Sequence, residues 1–117
     1  MNRPDDSPIL IVCSFPDIHT ARTAAKLCVE KRFAACVKIQ SQPVESFYWW
    51  NGKIEQGSEF LLILKSRFRF YQHCEQELKK QHPFETPEIY GISIDKMEAG
   101  YLTWMNQELS HDPTSVK

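Results

Sequence analysis

The fold of this chain is decided by the stretch FYWWNGKIE at residues 47–55. Its four leading aromatic side chains favour an extended strand, because aromatic residues fit the pleated surface of a sheet. Asn51 and Gly52 follow directly, and both residue types tolerate the positive φ angles that a type I′ turn requires. The stretch therefore predicts a tight β-hairpin whose second strand begins at Lys53.

The two strands of this hairpin extend far beyond the turn. Upstream, apolar residues alternate with others over residues 33–39, Pro43 interrupts the pattern, and a β-rich run over residues 44–50 resumes it. Downstream, the return strand continues through a second apolar run, and Gly57 is expected to mark a bulge within it. The hairpin is therefore predicted to span residues 34–66.

The remaining segments supply two more strands and three helices. A continuous apolar run at residues 9–13 predicts a strand that is buried on both faces. Asp17 can cap the helix that follows, in which small apolar residues recur at helical spacing: Ala21, Ala24, Ala25 and Cys28. The later elements are predicted as a helix over residues 68–81, a stiff extended segment over residues 82–87, a strand over residues 89–94 and a helix over residues 97–109.

The predicted order is β-α-β-β-α-β followed by a terminal helix. This order is typical of the ferredoxin-like plan, an α+β fold in which two helices cover one face of a four-stranded antiparallel sheet. A chain of 117 residues is a single domain on length alone. We place this domain at residues 9–110, between a flexible N-terminal tail (residues 1–8) and a C-terminal tail (residues 111–117).

Composition argues against several classes of protein. A net charge of -1 shows no basic excess of the kind that nucleic-acid-binding surfaces carry, so we expect no nucleic-acid partner. The first apolar run is too short for a signal peptide, and no run approaches transmembrane length, so we expect a cytoplasmic protein without a membrane partner. The four cysteines form no CxxC pair and suit buried free thiols in a reducing compartment.

The length of the hairpin indicates self-association. Helices of the predicted lengths cannot cover the whole ribbon, so the aromatic run at residues 47–50 would face water and make the sheet prone to aggregation. Other subunits can cover this surface. The alternative use of these rings, as a stacking platform for bases, would need neighbouring cations. The exposed aromatic hairpin therefore predicts an oligomer and leaves the number of subunits open.

Several motifs in the chain resemble those of the CutA family, which consists of small trimeric proteins linked to divalent-metal tolerance. They are a strand that ends in Cys before Pro-Asp (residues 12–17), an Ala-Ala-Cys strand start (34–36), a Tyr-x-Trp-x-Gly-x-hydrophobic-Glu hairpin (48–55), a strand that ends in Leu-Lys (64–65), a His-Pro-aromatic-x-Thr-Pro-Glu segment (82–88) and a Tyr-Leu-x-Trp helix (101–104). The resemblance covers residues 9–109. It implies a homotrimer whose hairpins pack around the threefold axis, with the fold of the PII signalling proteins.

The resemblance also implies a metal site. Some bacterial members bind copper through the strand-end Cys and a His-His pair before the Pro; here Cys13 and His82 match, and Gln81 replaces the first His. An amide is a poor ligand for a soft ion, but a Cys13 thiolate and a His82 imidazole suit copper or another divalent metal if they converge. We expect solvent to reach Cys13 at its strand end. The alternatives are an inert thiol and a helix-capping His.

In the family, charged positions such as Glu55, Lys65 and Glu88 line a cleft between subunits, and we add Trp50 to this candidate site. These residues are either paired charges of a trimer interface or a small-molecule site that forms in the assembly. We recognise no Ser-His-Asp arrangement, P-loop or GxGxxG motif, so we do not expect an enzyme. Three functions stay open: a metal-responsive trimer, a PII-like module that binds a small ligand and signals to a protein partner, and a structural scaffold.

Overall fold

The structure, a computed structural model, describes residues 6–109 as an α+β fold with the predicted order of elements. The elements are β1 (Pro8–Phe15), α1 (Ile18–Glu30), β2 (Cys36–Trp50), β3 (Lys53–Arg67), a 3₁₀ turn (Phe68–Phe70), α2 (Tyr71–Gln81), β4 (Ile89–Ser93) and α3 (Ala99–Glu108). Residues 1–5 of the predicted N-terminal tail (residues 1–8) and the whole predicted C-terminal tail (residues 111–117) lie outside the described residues. No helix within residues 6–109 is long and apolar enough to cross a membrane.

The four strands form one antiparallel sheet in the order β2-β3-β1-β4. The first strand of the chain is therefore central: Cys13 lies opposite Leu62 of β3 on one side and opposite Ile89 of β4 on the other. The strand is longer than the predicted run at residues 9–13, because it pairs with β3 along its whole length from Pro8 to Phe15. Pro8, which the sequence placed in a tail, is part of the sheet.

The core lies between this sheet and helices α1 and α2. Every second residue of β1, from Ile9 to Phe15, points toward the helices and is buried, because side chains alternate between the two faces of a strand. The small residues predicted for α1 are all buried, and they let this helix lie close to the sheet: Ala21, Ala24, Ala25 and Cys28. The opposite face of the sheet, which we call the open face, carries apolar side chains that neither helix covers: Leu10, Val12, Ile63, Tyr90 and Ile92.

Both ends of α1 follow from local chemistry. The Asp17 carboxylate caps the helix by accepting hydrogen bonds from the backbone N–H groups of His19 and Thr20, as predicted. Beyond the last helical residue, Arg32 adopts the left-handed region with φ 64°. Phe33 N–H donates to the carbonyl of Cys28 and Arg32 N–H to that of Val29, which is the Schellman pattern. Arg32 thus occupies a position that usually favours glycine.

The hairpin turn is confirmed, the pattern change at Pro43 corresponds to a shift in strand register, and the bulge predicted at Gly57 is wrong. Asn51 and Gly52 have φ angles of 51° and 76°, as a type I′ turn requires. β2 continues through Pro43, but its pairing with β3 shifts register between Gln40 and Val44. The strand lies at the sheet edge, where a residue without an N–H is tolerated. Gly57 is no bulge, since it pairs with Ser46 in regular register. An added Cβ there would lie 3.3 Å from the Tyr48 ring, so the glycine leaves room for that side chain.

The second half of the chain differs from prediction mainly at its helix starts. Residues 68–70 form the 3₁₀ turn, so α2 begins at Tyr71. The last helix begins at Ala99 rather than at residue 97, because the Glu98 side chain caps it by accepting a hydrogen bond from Tyr101 N–H at 2.8 Å. Met105 and Leu109 of the predicted apolar side are buried against Phe70.

The half of the hairpin that ends in the Asn51–Gly52 turn is exposed to solvent in the single chain. Phe47, Trp49 and Trp50 are 66%, 72% and 59% exposed. Directly opposed residues share a face of the ribbon, so Trp50 lies with Lys53, whereas Trp49 lies with Ile54 on the other face. Large apolar side chains therefore extend from both faces.

We expect Gly52→Ala to lower the free energy of unfolding by about 1–2 kcal/mol, because an L-residue pays roughly this for left-handed backbone geometry. The loss would come from the backbone alone, since no heavy atom lies within 4 Å of the added Cβ. Denaturant unfolding at fixed protein concentration measures it. Glu45→Ala, in an ordinary exposed strand position of the same hairpin, is the control. Equal stability of the two variants would contradict the turn assignment.

Candidate functional site

Cys13 is closed off in the core. Its side chain points toward the helices and is 0% exposed, contrary to the expectation that solvent reaches it. The reason is that β1 does not end at Cys13 but continues to Phe15 between two paired strands. Burial, together with the neighbouring Cys28 and Glu88, raises the pKa of the Cys13 thiol to about 12. The group is therefore a neutral thiol at physiological pH, and the thiolate that binds metals is strongly disfavoured.

His82 ends α2 with both ring nitrogens in hydrogen bonds. Pro83 excludes helical geometry at this residue, which has φ -82° and ψ 136°, as predicted. Nε2 lies 2.6 Å from the carbonyl oxygen of Ser14, and Nδ1 accepts a hydrogen bond from Phe84 N–H at 3.1 Å. Because a carbonyl only accepts and an amide N–H only donates, this pair of contacts assigns the neutral ring with its proton on Nε2. The ring also packs on Phe15, with centroids 4.5 Å apart.

The fold brings Cys13 and His82 to one place, the carbonyl oxygen of Ser14. Cys13 Sγ lies 3.9 Å from this oxygen and His82 Nε2 lies 2.6 Å from it. The pair does not fit a copper ion in this arrangement, because the sulfur is protonated and buried and the nearer nitrogen carries a hydrogen. Within residues 6–109, no three His, Cys, Asp or Glu side chains are placed to hold a metal.

Gln81, which replaces a family histidine, belongs to a structural network around the buried carboxylate of Glu77 on the same helix. Its amide donates to Glu77 Oε2 at 3.1 Å, while Lys31 Nζ donates to Glu77 Oε1 at 2.8 Å. Glu77 is only 3% exposed, and Lys80 lies 3.7 Å from Oε1. Burial acts to raise the pKa of Glu77, but these hydrogen bonds and the two ammonium charges outweigh it and leave the pKa below its ordinary value.

Sequence reasoning missed Glu77, although a signal was present. It lies three residues after Cys74 on the stripe that was predicted to face the core, so its helical spacing alone places it at the buried edge. The spacing does not predict the ion-pair partner of Glu77, because Lys31 lies at the end of another helix.

The four predicted cleft residues do not meet within one chain. Glu88 precedes β4, where its Oε1 accepts a hydrogen bond from the Ser14 hydroxyl at 3.2 Å. Lys65 lies opposite Leu10, four positions along β1 from Ser14, a separation of about 13 Å at the rise of a strand. Trp50 and Glu55 lie near the hairpin turn, and Glu55 is ten positions from Lys65, roughly 33 Å along β3.

These residues nevertheless share a surface. By strand alternation, Lys65 and Glu88 lie on the open face, and Trp50 and Glu55 lie on the continuation of the same face along the hairpin. Lys65 is half-buried and has no ion-pair partner among the described residues. A cation in such a position needs a counter-charge if another molecule covers this face.

The structural class is a ferredoxin-like domain whose central hairpin is longer than its helices. A buried cysteine lies on the central strand of its sheet, and a histidine that precedes a proline lies beside it. Residues 9–108 match the model of the family described as CutA1 divalent ion tolerance protein. The chain belongs to the CutA1 family.

Named relatives agree with this assignment. The divalent-cation tolerance protein CutA of Pectobacterium atrosepticum is 37% identical over 108 residues, which cover 92% of this chain and 97% of that protein. The corresponding protein of Pyrococcus horikoshii is 33% identical over 86% of this chain and 96% of its own length. The descriptions of the family and of these two relatives name divalent-ion tolerance and no catalytic reaction.

Solved structures give the same fold. CutA from Xylella fastidiosa superposes with a TM-score of 0.84 at 31% identity, covering 88% of this chain and 98% of that one. The periplasmic divalent cation tolerance protein CutA from Archaeoglobus fulgidus superposes with a TM-score of 0.83 at 35% identity, covering 87% and 98%. The ferredoxin-like α+β fold predicted from sequence is therefore confirmed.

We expect Cys13 to resist alkylation by iodoacetamide at pH 8 in the native protein and to react readily once the protein is unfolded in guanidinium. The physical reason is that the thiol is buried and that its pKa of about 12 leaves little thiolate. Peptide mass mapping after timed quenching measures the modification. Native labelling of Cys13 as fast as in the unfolded chain would contradict the buried assignment.

Acid should weaken the fold through Glu77. Its folded-state pKa is below the ordinary value of 4.5, so its contribution to stability is present above that pH and is lost as pH falls through the lower folded value. Glu77→Gln should therefore flatten the dependence of unfolding free energy on pH between pH 5 and pH 3. Urea unfolding at fixed protein concentration measures this. Glu75→Gln on the same helix is the control, and an equal effect of the two variants would contradict the network.

Proposed function

We propose that this CutA1 family member acts in tolerance to divalent metal ions as a homotrimer, without catalysing a reaction. The observation that carries the homotrimer is the bare hairpin, whose aromatic side chains extend from both faces. The surface that metal or ligand response would use is then completed only between subunits.

The two-faced hairpin favours a ring over a dimer. Phe47, Trp49 and Ile54 occupy one face of the ribbon, and Tyr48 and Trp50 occupy the other. In a twofold dimer the same patch meets itself, so one partner covers one face. A ring of three gives each hairpin a neighbour on either side, and aromatic residues are typical of such buried interfaces.

The open face supports the same assembly. It presents apolar side chains over the middle of the sheet, and Tyr90 and Ile92 are 44% and 47% exposed. Strands β2 and β4 also leave their outer edges unpaired within the described chain. Exposed apolar sheet with unpaired edges is a surface that soluble proteins cover or block.

The metal-ion part of the proposal takes two forms. In the first, copper or another divalent metal binds through Cys13 and His82, which requires the thiol to lose its proton and His82 to release the Ser14 carbonyl. In the second, response passes through a PII-like small-ligand site between subunits. The half-buried, unpaired Lys65 favours the second form, because a counter-charge from Glu55 or Glu88 of another copy, or an anionic ligand, would satisfy it.

We also propose a cytoplasmic location. The four cysteines are free, and three of them are buried in the core, which suits a reducing compartment. The relative from Archaeoglobus fulgidus is described as periplasmic, so fractionation of cells that produce this chain is the direct check.

Native mass spectrometry of the reduced protein, with and without added copper and zinc, tests the proposal. A trimeric mass supports the assembly, and a monomeric or dimeric mass overturns it. Copper bound at about one ion per subunit and lost in Cys13→Ser would favour the first form. A metal-free trimer whose melting temperature rises with a small anionic ligand would favour the second, because a ligand that binds only the folded state stabilises it.

We expect Trp50→Ala to weaken subunit association by about 2 kcal/mol or more, the usual effect of truncating a central aromatic anchor. Sedimentation velocity over a dilution series measures the change. Phe84→Ala is the matched control, because Phe84 is similarly exposed, at 56%, but lies outside the hairpin. An unchanged trimer in Trp50→Ala, or an equal loss in the control, would count against the hairpin as the interface.

A further inference from the structure

Two arginines near the end of β3 share a single carboxylate. Arg69 Nη2 lies 3.0 Å from Asp6 Oδ1, and Arg67 Nη1 lies 3.6 Å from the same oxygen. We call these three residues the arginine cluster. Because one carboxylate faces two guanidinium groups that do not lose their protons in proteins, the cluster carries a net positive charge.

Arg67 is held in place by α3. Its Nε donates a hydrogen bond to Asn106 Oδ1 at 3.2 Å, and its Nη2 donates to the Asn106 carbonyl at 3.0 Å. These two bonds fix the plane of the guanidinium, and its third nitrogen, Nη1, faces Asp6. A guanidinium that is already fixed binds an anion with little further loss of side-chain entropy.

Asp6 is an incomplete partner for Arg67. Their separation of 3.6 Å is longer than the value of about 2.7–2.9 Å that is typical of a charge-assisted hydrogen bond. The Arg67 side chain is only 15% exposed, whereas Asp6 is 66% exposed and precedes β1, which begins at Pro8. A largely buried cation with a distant, exposed counter-charge is better satisfied by an anion that reaches both guanidinium groups at short range.

A phosphate monoester meets this requirement. Its phosphate group carries a charge of about -1.5 to -2 at neutral pH and has three acceptor oxygens, which match the planar donor fork of arginine. Asp6 offers both arginines a single oxygen. Phe68 stands between the two arginines in the sequence and is 41% exposed, so it offers an apolar ring to the organic part of an ester.

We propose that Arg67 and Arg69 form a binding site for a small phosphate monoester, and that Asp6 occupies this site when the ester is absent. The phosphate replaces the Asp6 carboxylate on both guanidinium groups, and the organic group packs against Phe68. No covalent bond forms or breaks. The site lies within one chain, so it depends neither on the proposed trimer nor on a ligand site between subunits.

A phosphorus NMR titration of phenyl phosphate at constant ionic strength tests the site. We expect saturable binding to the wild-type protein. Asp6→Asn should bind about tenfold more tightly, because the competing charge is removed while the size of the side chain is kept. Arg69→Gln should bind at least about tenfold more weakly, because it loses charge-assisted hydrogen bonds to the phosphate.

Matched variants separate the site from folding and from general charge attraction. Arg22→Gln removes the same charge from an exposed position on α1, and its affinity should equal that of the wild type. Asp6 and Arg69 are exposed, so we expect their variants to fold, and thermal melting followed by circular dichroism checks this. Arg67→Lys keeps the charge but lacks the planar fork, and should bind about tenfold more weakly.

The outcomes are distinct. Absence of saturable binding in both the wild type and Asp6→Asn would overturn the site. Equal affinity of these two proteins would overturn the role of Asp6, and a loss in Arg22→Gln as large as in Arg69→Gln would overturn the assignment to the arginine cluster. Inorganic phosphate bound as tightly as phenyl phosphate would overturn the monoester and identify free phosphate as the ligand. Each of these results leaves the proposed function standing, because the subunit count and metal binding are measured separately.

Discussion

The structure depends on a mismatch of lengths. Strands β2 and β3 have 15 residues each in a molecule whose longest dimension is 44 Å, whereas α1 and α2 have 13 and 11 residues, roughly 20 Å and 17 Å of helix. The two helices therefore pack on one half of the β2–β3 ladder, and no helix packs on the other half. The bare half carries the aromatic residues, and the candidate cleft residues are divided between the two halves. A single chain consequently has a packed core and an exposed aromatic surface on the part of the hairpin near its turn.

Local chemistry made most of the fold predictable. The turn at Asn51 and Gly52 and the cap at Asp17 depend on neighbours in sequence, and both are confirmed. The errors arose where pairing between strands decides the outcome. Pro43 interrupts an alternation in the sequence, and the structure has a register shift there, although β2 itself continues because only one side of an edge strand is bonded. Gly57 looked like a bulge, yet it pairs regularly, and its lack of a side chain leaves room for the ring of Tyr48 on the neighbouring strand.

The candidate site was predictable to a smaller extent. The sequence indicated that Pro83 holds His82 in an extended conformation, and it did not indicate that both ring nitrogens are engaged. The burial of Cys13 depends on where β1 stops, and that follows from its pairing with β3 and β4. A thiol that looked accessible at the end of an apolar run is therefore enclosed by strands that are remote in sequence. The role of Gln81 likewise depends on Glu77 and on a lysine of another helix.

The central position of β1 also affects how the protein is made. A ribosome releases the N-terminus first, but the partners of β1 are β3 (Lys53–Arg67) and β4 (Ile89–Ser93). At ordinary rates of synthesis, roughly 2 to 10 seconds pass between the appearance of β1 and that of the first residues able to pair with it. During this interval the nascent chain presents an apolar, unpaired strand, the kind of segment that chaperones bind. The order of strands in the sheet therefore means that β1, the first strand to be synthesised, is the last to be paired on both of its edges.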